Sequence, residues 1–226
     1  MGFAILLFDF GGTLDGPGEH WLRRFDRSYR ACGVAVPAPG LRDAFGHSTR
    51  CCYADPDMPG RNLRATIACH VAWQAQYLGL PAGTPTAAIV DSFVARSEAA
   101  LAHSRRLLQR WSAQARLGVI SNFYGNVRVL LDDAGITPLL STVVDSTIVG
   151  VAKPDPRILA LAMEGIGGAD PAQALYVGDS LDKDVAGAHA AGLRAAWLPG
   201  DDGPGGDGAR ADFVLRRLEE VEALLA

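Results

Sequence analysis

Two hydrophobic rhythms run along the chain, and the change between them divides it. Near the amino end Ile5-Leu6-Leu7-Phe8 is an unbroken apolar run that stops at Asp9 and leads into Gly11-Gly12. A short apolar run bounded by glycine predicts a buried strand. From residue 16 to about 97 apolar side chains recur instead at helical spacing. They do so over 19–31, more weakly over 41–52, then over 61–78 and 85–108, with Thr84 a candidate N-cap and Gly79 and Pro81 as stop signals. No strand pattern falls in that block. Strand rhythm resumes at 115–121 and recurs at 142–146, 174–178, 194–198 and 212–215. Helical stretches at 126–134, 154–165 and 183–191 separate these runs, a last one covers 218–225, and residues 199–210 read as a Gly- and Asp-rich loop. Such alternation predicts an α/β domain with a parallel sheet and right-handed crossovers. The helical block is an insertion placed immediately after its first strand.

In a parallel sheet all strand carboxyl ends share one edge, where ligands bind. Four strand ends here carry chemistry: Asp9, then Ser121-Asn122, then Lys153, then Asp179 with Asp184. Gly11 and Gly12 permit a sharp turn and a close approach of backbone N–H groups to an anion. A carboxylate in such a place acts as a nucleophile or holds a metal. Asp9 and Asp179 are positioned to share Mg²⁺, which prefers carboxylate and phosphate oxygens. Lys153 would neutralise a phosphate, and Ser121 would donate to one of its oxygens. Gly12, Ser121 and Lys153 are therefore candidate phosphate-binding residues, and Thr13 and Asn122, next to Gly12 and Ser121 in the chain, are counted with them. Lys153 stands out because the chain has only two lysines.

Composition narrows the field. The 226 residues suffice for one domain with a sizeable core plus a smaller insertion. A net charge of −4 argues against a nucleic-acid footprint, and no apolar run approaches the length of a membrane span. The chain enters its first strand at once, so no signal peptide is visible, and a cytoplasmic protein is expected. Cys32, Cys51, Cys52 and Cys69 show no metal-ligand spacing and all fall in the insertion, where reduced, packed thiols are expected.

These stretches resemble the haloacid dehalogenase-like (HAD) hydrolase superfamily. Asp9-Phe10-Gly11-Gly12-Thr13-Leu14-Asp15 matches its first motif, Ile120-Ser121-Asn122 its second, the run from Ala152 to Ile158 its third, and that from Val177 to Gly192 its fourth. The resemblance implies a Rossmann-like doubly wound core, residues 1–15 and 98–226, with a helical cap of the four-helix C1 type over 16–97. It also implies a Mg²⁺-dependent phosphatase acting on a small phosphorylated metabolite. Asp9 would be the nucleophile and form an aspartyl-phosphate intermediate. Ser121 and Lys153 would bind phosphate. Asp9, Asp179 and the Gly11 carbonyl would ligate the metal, with Asp184 supporting it through water.

One position departs from that pattern. The family's phosphatases carry a second aspartate two residues after the nucleophile, which protonates the leaving group, and here that residue is Gly11. A positioned general acid contributes about 10²–10⁴-fold, so a slow phosphatase is expected. Two other readings stand beside it: a 2-haloacid dehalogenase, whose halide needs no proton, and a degenerate member that binds a phosphorylated ligand or partner. Phosphonatase chemistry needs a cap lysine, and residues 16–97 contain none. Asp15, Glu19 and His20 lie near enough along the chain to replace the acid, although Asp15 and Glu19 would equally serve as helix-start charges. Among the cap arginines, Arg23, Arg24, Arg27, Arg61 and Arg64 are candidates for reading an anionic substrate.

Overall fold

The computed structural model describes residues 2–168, 170–200 and 210–225. Six strands form one parallel sheet in the order β3-β2-β1-β4-β5-β6. They are β1 (Ile5–Phe8), β2 (Arg116–Ser121), β3 (Thr142–Asp145), β4 (Ala174–Gly178), β5 (Arg194–Trp197) and β6 (Phe213–Val214). The first strand in sequence is therefore central. Its register pairs Phe8 with Val119 on one side and Val177 on the other. Both faces of β1 are covered: Leu6 and Phe8 join one apolar cluster, Ile5 and Leu7 the other. A strand buried on both sides has to read as a continuous apolar run, and this one does.

The insertion is helical, and no described residue from 16 to 97 pairs into the sheet. Its helices are α1 (Trp21–Ala31), α2 (Ala38–Ala54), α3 (Leu63–Tyr77) and the first half of α4 (Thr86–Trp111). The helices at 19–31 and 61–78 each begin two residues later than expected, and two further edges differ in ways that matter. The helix α2 starts at Ala38 and takes Pro39 into its first turn, where a missing N–H costs nothing. The helix α4 continues unbroken through Ser97 to Trp111, so the junction expected at 97/98 falls inside a helix. Buried Leu101, Leu107, Leu108 and Trp111 carry its apolar face from the helical insertion down onto the sheet domain, where Trp111 stacks on Phe8 with ring centroids 5.9 Å apart.

Beyond β2 the core adds α5 (Val127–Asp133), the short α6 (Ser146–Val149), α7 (Pro156–Gly165) and α8 (Ala186–Ala190). The helix α7 begins two residues later than expected, because Asp155 caps it by accepting from the Arg157 N–H. The stretch expected as a helix over 183–191 opens instead with a wider turn over Leu181–Val185. The closing helix is a 3₁₀ segment over Leu218–Leu224. Most of the loop expected at 199–210 lies outside the described residues. All four cysteines are free thiols. No helix among the described residues is long and apolar enough to cross a membrane.

Candidate active site

The carboxyl ends of β1, β2 and β4, with the loop after β3, meet at one cavity of about 280 Å³. Asp9 follows β1 directly, and its N–H donates to Val177 O at 2.9 Å, which fixes it against β4. Lys153 reaches the same point from the loop before α7. Its buried ammonium donates to Asp9 Oδ1 at 2.6 Å, to Asp184 Oδ1 at 2.7 Å and to the Tyr176 hydroxyl at 2.7 Å. Ser121 Oγ donates to Asp9 Oδ1 at 3.3 Å. Asp9, Asp179 and Asp184 each bring a carboxylate oxygen within 4.8 Å of the others.

Three carboxyl groups around one ammonium, two of them buried and Asp179 half-buried, would carry excess negative charge if all were ionised. Burial pushes the Asp9 carboxyl up to about 6, with Lys153 opposing and Asp184 adding to the rise. Burial, then Asp184 and Asp9, hold the Asp179 carboxyl well above its usual range. Burial works against the Lys153 ammonium, but Asp184 and Asp9 outweigh it and keep its pKa well above the ordinary value. A bound cation would relieve the mutual repulsion.

Glycines shape this edge by what they leave out. A Cβ at Gly178 would lie 2.4 Å from Asp184 Cγ, and one at Gly12 2.4 Å from Asp179 Oδ2. Gly12 also has φ +86°, a conformation that side chains disfavour. The two carboxylates that flank Asp9 thus pack directly onto bare backbone.

The structure also separates residues that sequence grouped together. Gly11 lines the cavity, whereas Gly12 and Thr13 do not. The Gly12 N–H, expected to meet phosphate, instead donates to Asp15 Oδ1 at 2.8 Å, and the Thr13 hydroxyl is buried without a partner. Asn122 lines the cavity but spends both ends of its amide on the Lys153 backbone, donating to its carbonyl at 2.9 Å and accepting from its N–H at 2.8 Å. It positions the lysine.

The candidate replacements for the missing acid are also placed. Asp15 is fully buried, accepts from Trp21 Nε1 at 2.5 Å and pairs with Arg24 at 3.1 Å, so it is a buttress beneath the loop. Glu19 pairs with Arg24 and Arg27. His20 lines the cavity and caps α1, accepting from the Leu22 N–H at 3.2 Å. Among the cap arginines, Arg61 pairs with Asp55 and Arg64 with Asp91, and none of the five lines this cavity.

Two features escaped the sequence. Tyr176 reads as one more core residue of β4, yet its hydroxyl donates to Ile120 O at 2.9 Å and receives Lys153. A tyrosine inside a buried run is the available signal, since its hydroxyl must find a partner. The second is the aromatic wall above the site. Ring centroids of Trp21 and Phe123 lie 5.5 Å apart, of Phe123 and Tyr124 4.8 Å, and of Tyr124 and Tyr53 4.8 Å.

Comparison with known proteins places the architecture. The chain is 32% identical over 120 residues to the pyrimidine 5′-nucleotidase YjjG of Escherichia coli, which covers 53% of each chain. The match spans about a third to a half of the length of the curated relatives. The HAD-hydrolase YfnB of Bacillus subtilis, solved bound to magnesium, superposes with a TM-score of 0.59 at 16% identity, covering 99% of this chain and 98% of that one. A dehalogenase solved with an intermediate complex gives 0.65 at 15% identity, covering 100% and 98%. At such identities the likeness carries the fold alone. The family model for haloacid dehalogenase-like hydrolases matches residues 3–192, and the chain belongs to that family.

Proposed function

We propose that this hydrolase is a magnesium-dependent phosphatase acting on small phosphate monoesters, with Asp9 as nucleophile. The observation that carries the reading is the cluster of Asp9, Asp179 and Asp184 around Lys153 at the sheet edge. Its donors are hard oxygens carrying excess negative charge, which fit Mg²⁺. Asp9, Asp179 and the Gly11 carbonyl would hold the ion, with Asp184 behind them, already bonded to Lys153 and to the Ser180 N–H. When bound, the ion would neutralise phosphate charge and let a carboxylate approach it. The name of the relative YjjG supports phosphoester chemistry.

In this reading Lys153 and Ser121 hold the phosphoryl oxygens. An Asp9 oxygen attacks phosphorus, and the P–O bond to the leaving group breaks with its electron pair on the departing oxygen. Water then attacks the aspartyl phosphate, releasing inorganic phosphate and restoring the Asp9 carboxylate. Gly11 offers no proton, so substrates with poor leaving groups turn over slowly.

The same gap at Gly11 favours a second reading, a dehalogenase, since halide departs unprotonated. One experiment separates them: Mg²⁺-dependent phosphate release from acetyl and 4-nitrophenyl phosphate beside chloride release from a 2-chloroacid. Phosphate release that Asp9→Asn abolishes, in a variant with an unchanged circular dichroism spectrum, supports the proposal. Chloride release without phosphate release overturns it. The cap, residues 16–97, is proposed to move as the site opens, with Gly16–Gly18 as one hinge.

A further inference from the structure

The cavity has two chemically different ends. The core supplies the phosphate end, with Asp9, Ser121, Lys153, Asp179 and Asp184. The cap supplies His20, Trp21, Phe45, Thr49 and Tyr53, and the loop after β2 adds Phe123 and Tyr124. Among the described residues, no acid, lysine or arginine of the cap lines it. Among the described residues, the one lysine or arginine beyond Lys153 on the lining is Lys183, exposed on the core side. A leaving group that carried a carboxylate or a second phosphate would be pressed against rings, and burying such a charge unpaired is costly. A flat apolar group meets the reverse. The wall from Trp21 through Phe123 and Tyr124 to Tyr53 is continuous; Trp21, Phe123 and Tyr124 are buried and meet the cavity only at their edges, and Tyr53 at the outer end, 47% exposed, is the ring with a face to cover.

A second observation points the same way. Gly11 removes the acid from beside the nucleophile, and Asp15 and Glu19 are committed to Arg24. His20, the third candidate, does line the cavity, but its Nδ1 accepts from the Leu22 N–H and burial pushes its pKa below the ordinary value, so the imidazole is a neutral ring there and a poor acid. The leaving oxygen must depart largely unprotonated, which a phenol tolerates far better than an alkyl alcohol does.

Building on the phosphatase reading, we propose that the substrate is a phosphate monoester of an uncharged aromatic alcohol. Its phosphoryl group sits at Asp9 and its ring lies against the Trp21–Phe123–Tyr124–Tyr53 wall. The phenoxide oxygen takes the electron pair of the broken P–O bond and leaves toward the cap.

The test is steady-state kinetics with Mg²⁺ on acetyl, phenyl, 2-naphthyl and 4-carboxyphenyl phosphate. Phenyl and 2-naphthyl phosphate should exceed 4-carboxyphenyl phosphate in kcat/KM by about tenfold or more, because the added carboxylate meets no cap cation. Tyr53→Ala, at an exposed position, should raise the KM for 2-naphthyl phosphate about 3–10-fold more than that for acetyl phosphate, the loss of one ring contact. Thr49→Arg, which adds a cation to the cap wall, should shift preference toward 4-carboxyphenyl phosphate. Equal or better turnover of 4-carboxyphenyl phosphate by the unmodified protein, with Lys183 serving the carboxylate, would overturn the proposal. A Tyr53→Ala protein that shifts both KM values alike would do the same. Loss of the substrate class alone would leave acetyl phosphate hydrolysed, whereas no hydrolysis of acetyl phosphate would remove the phosphatase reading with it.

Discussion

Restoring a carboxylate beside the nucleophile, Gly11→Asp, tests the missing-acid argument directly. The backbone permits it. Gly11 has φ −77° and ψ 111°, in the extended region that any side chain adopts, and the positive φ belongs to Gly12. A Cβ at position 11 would meet Trp21 Nε1 at 3.7 Å and Cδ1 at 3.9 Å, ordinary contacts. The indole N–H already donates to Asp15 at 2.5 Å, so it does not compete strongly for the new carboxylate. Losing the glycine's freedom should stabilise the fold by about 0.4–1 kcal/mol through the unfolded chain. A fourth acid beside Asp9, whose carboxyl already sits at about 6, opposes this gain until a cation binds.

The kinetic gain should depend on the leaving group. For ethyl phosphate, kcat/KM should rise by up to about 10²–10⁴-fold, or about 3–5.5 kcal/mol of barrier. For 4-nitrophenyl phosphate, which leaves without help, the gain should be much smaller. The assay is phosphate release on both substrates over a Mg²⁺ titration, with calorimetry to establish that the variant binds the ion. A folded, magnesium-binding Gly11→Asp protein with no gain on ethyl phosphate would refute the reasoning.

Three further outcomes are expected. Tyr176→Phe leaves Ile120 O without its donor and Lys153 with one partner fewer, so urea denaturation should show a loss of about 1–3 kcal/mol, with a raised KM for phosphate esters. Arg24→Met strands the buried Asp15 carboxylate and should cost about 3–5 kcal/mol, part of which Asp15→Asn in the same chain should recover. His70 is buried between Ser48 Oγ at 2.9 Å and the Tyr124 hydroxyl at 3.0 Å, and burial pushes its pKa down to about 3. The unfolded chain therefore takes up a proton below about 6.5 that the folded chain refuses, so His70 costs no stability above that pH and progressively more as pH falls toward 3. Between pH 7 and 5 the unfolding free energy from urea titrations should drop by up to about 1.4 kcal/mol per pH unit more in the unmodified protein than in His70→Gln. Equal slopes would exclude it.

Much of this molecule follows from sequence pattern, because burial writes itself into one dimension. A strand covered on both faces must be apolar throughout, as Ile5–Phe8 is, and a cap helix must be apolar every third or fourth residue, as α1 is. Parallel strands put their carboxyl ends on one edge, so the sequence alone marks Asp9, Ser121, Lys153 and Asp179 as neighbours. Tertiary structure alone decided which partner each polar group chose. The Gly12 N–H had phosphate and Asp15 as options, and the buried Asp15 won because the loop folds back over it. The Asn122 amide went to the Lys153 backbone, and Lys153 itself divided between Asp9, Asp184 and Tyr176. The aromatic wall joins residues 21, 53, 123 and 124, from two helices and a loop. Periodicity reports which way a side chain faces within its own element. It carries no record of which distant group arrives opposite, and hydrogen bonds and ring contacts depend on that arrival.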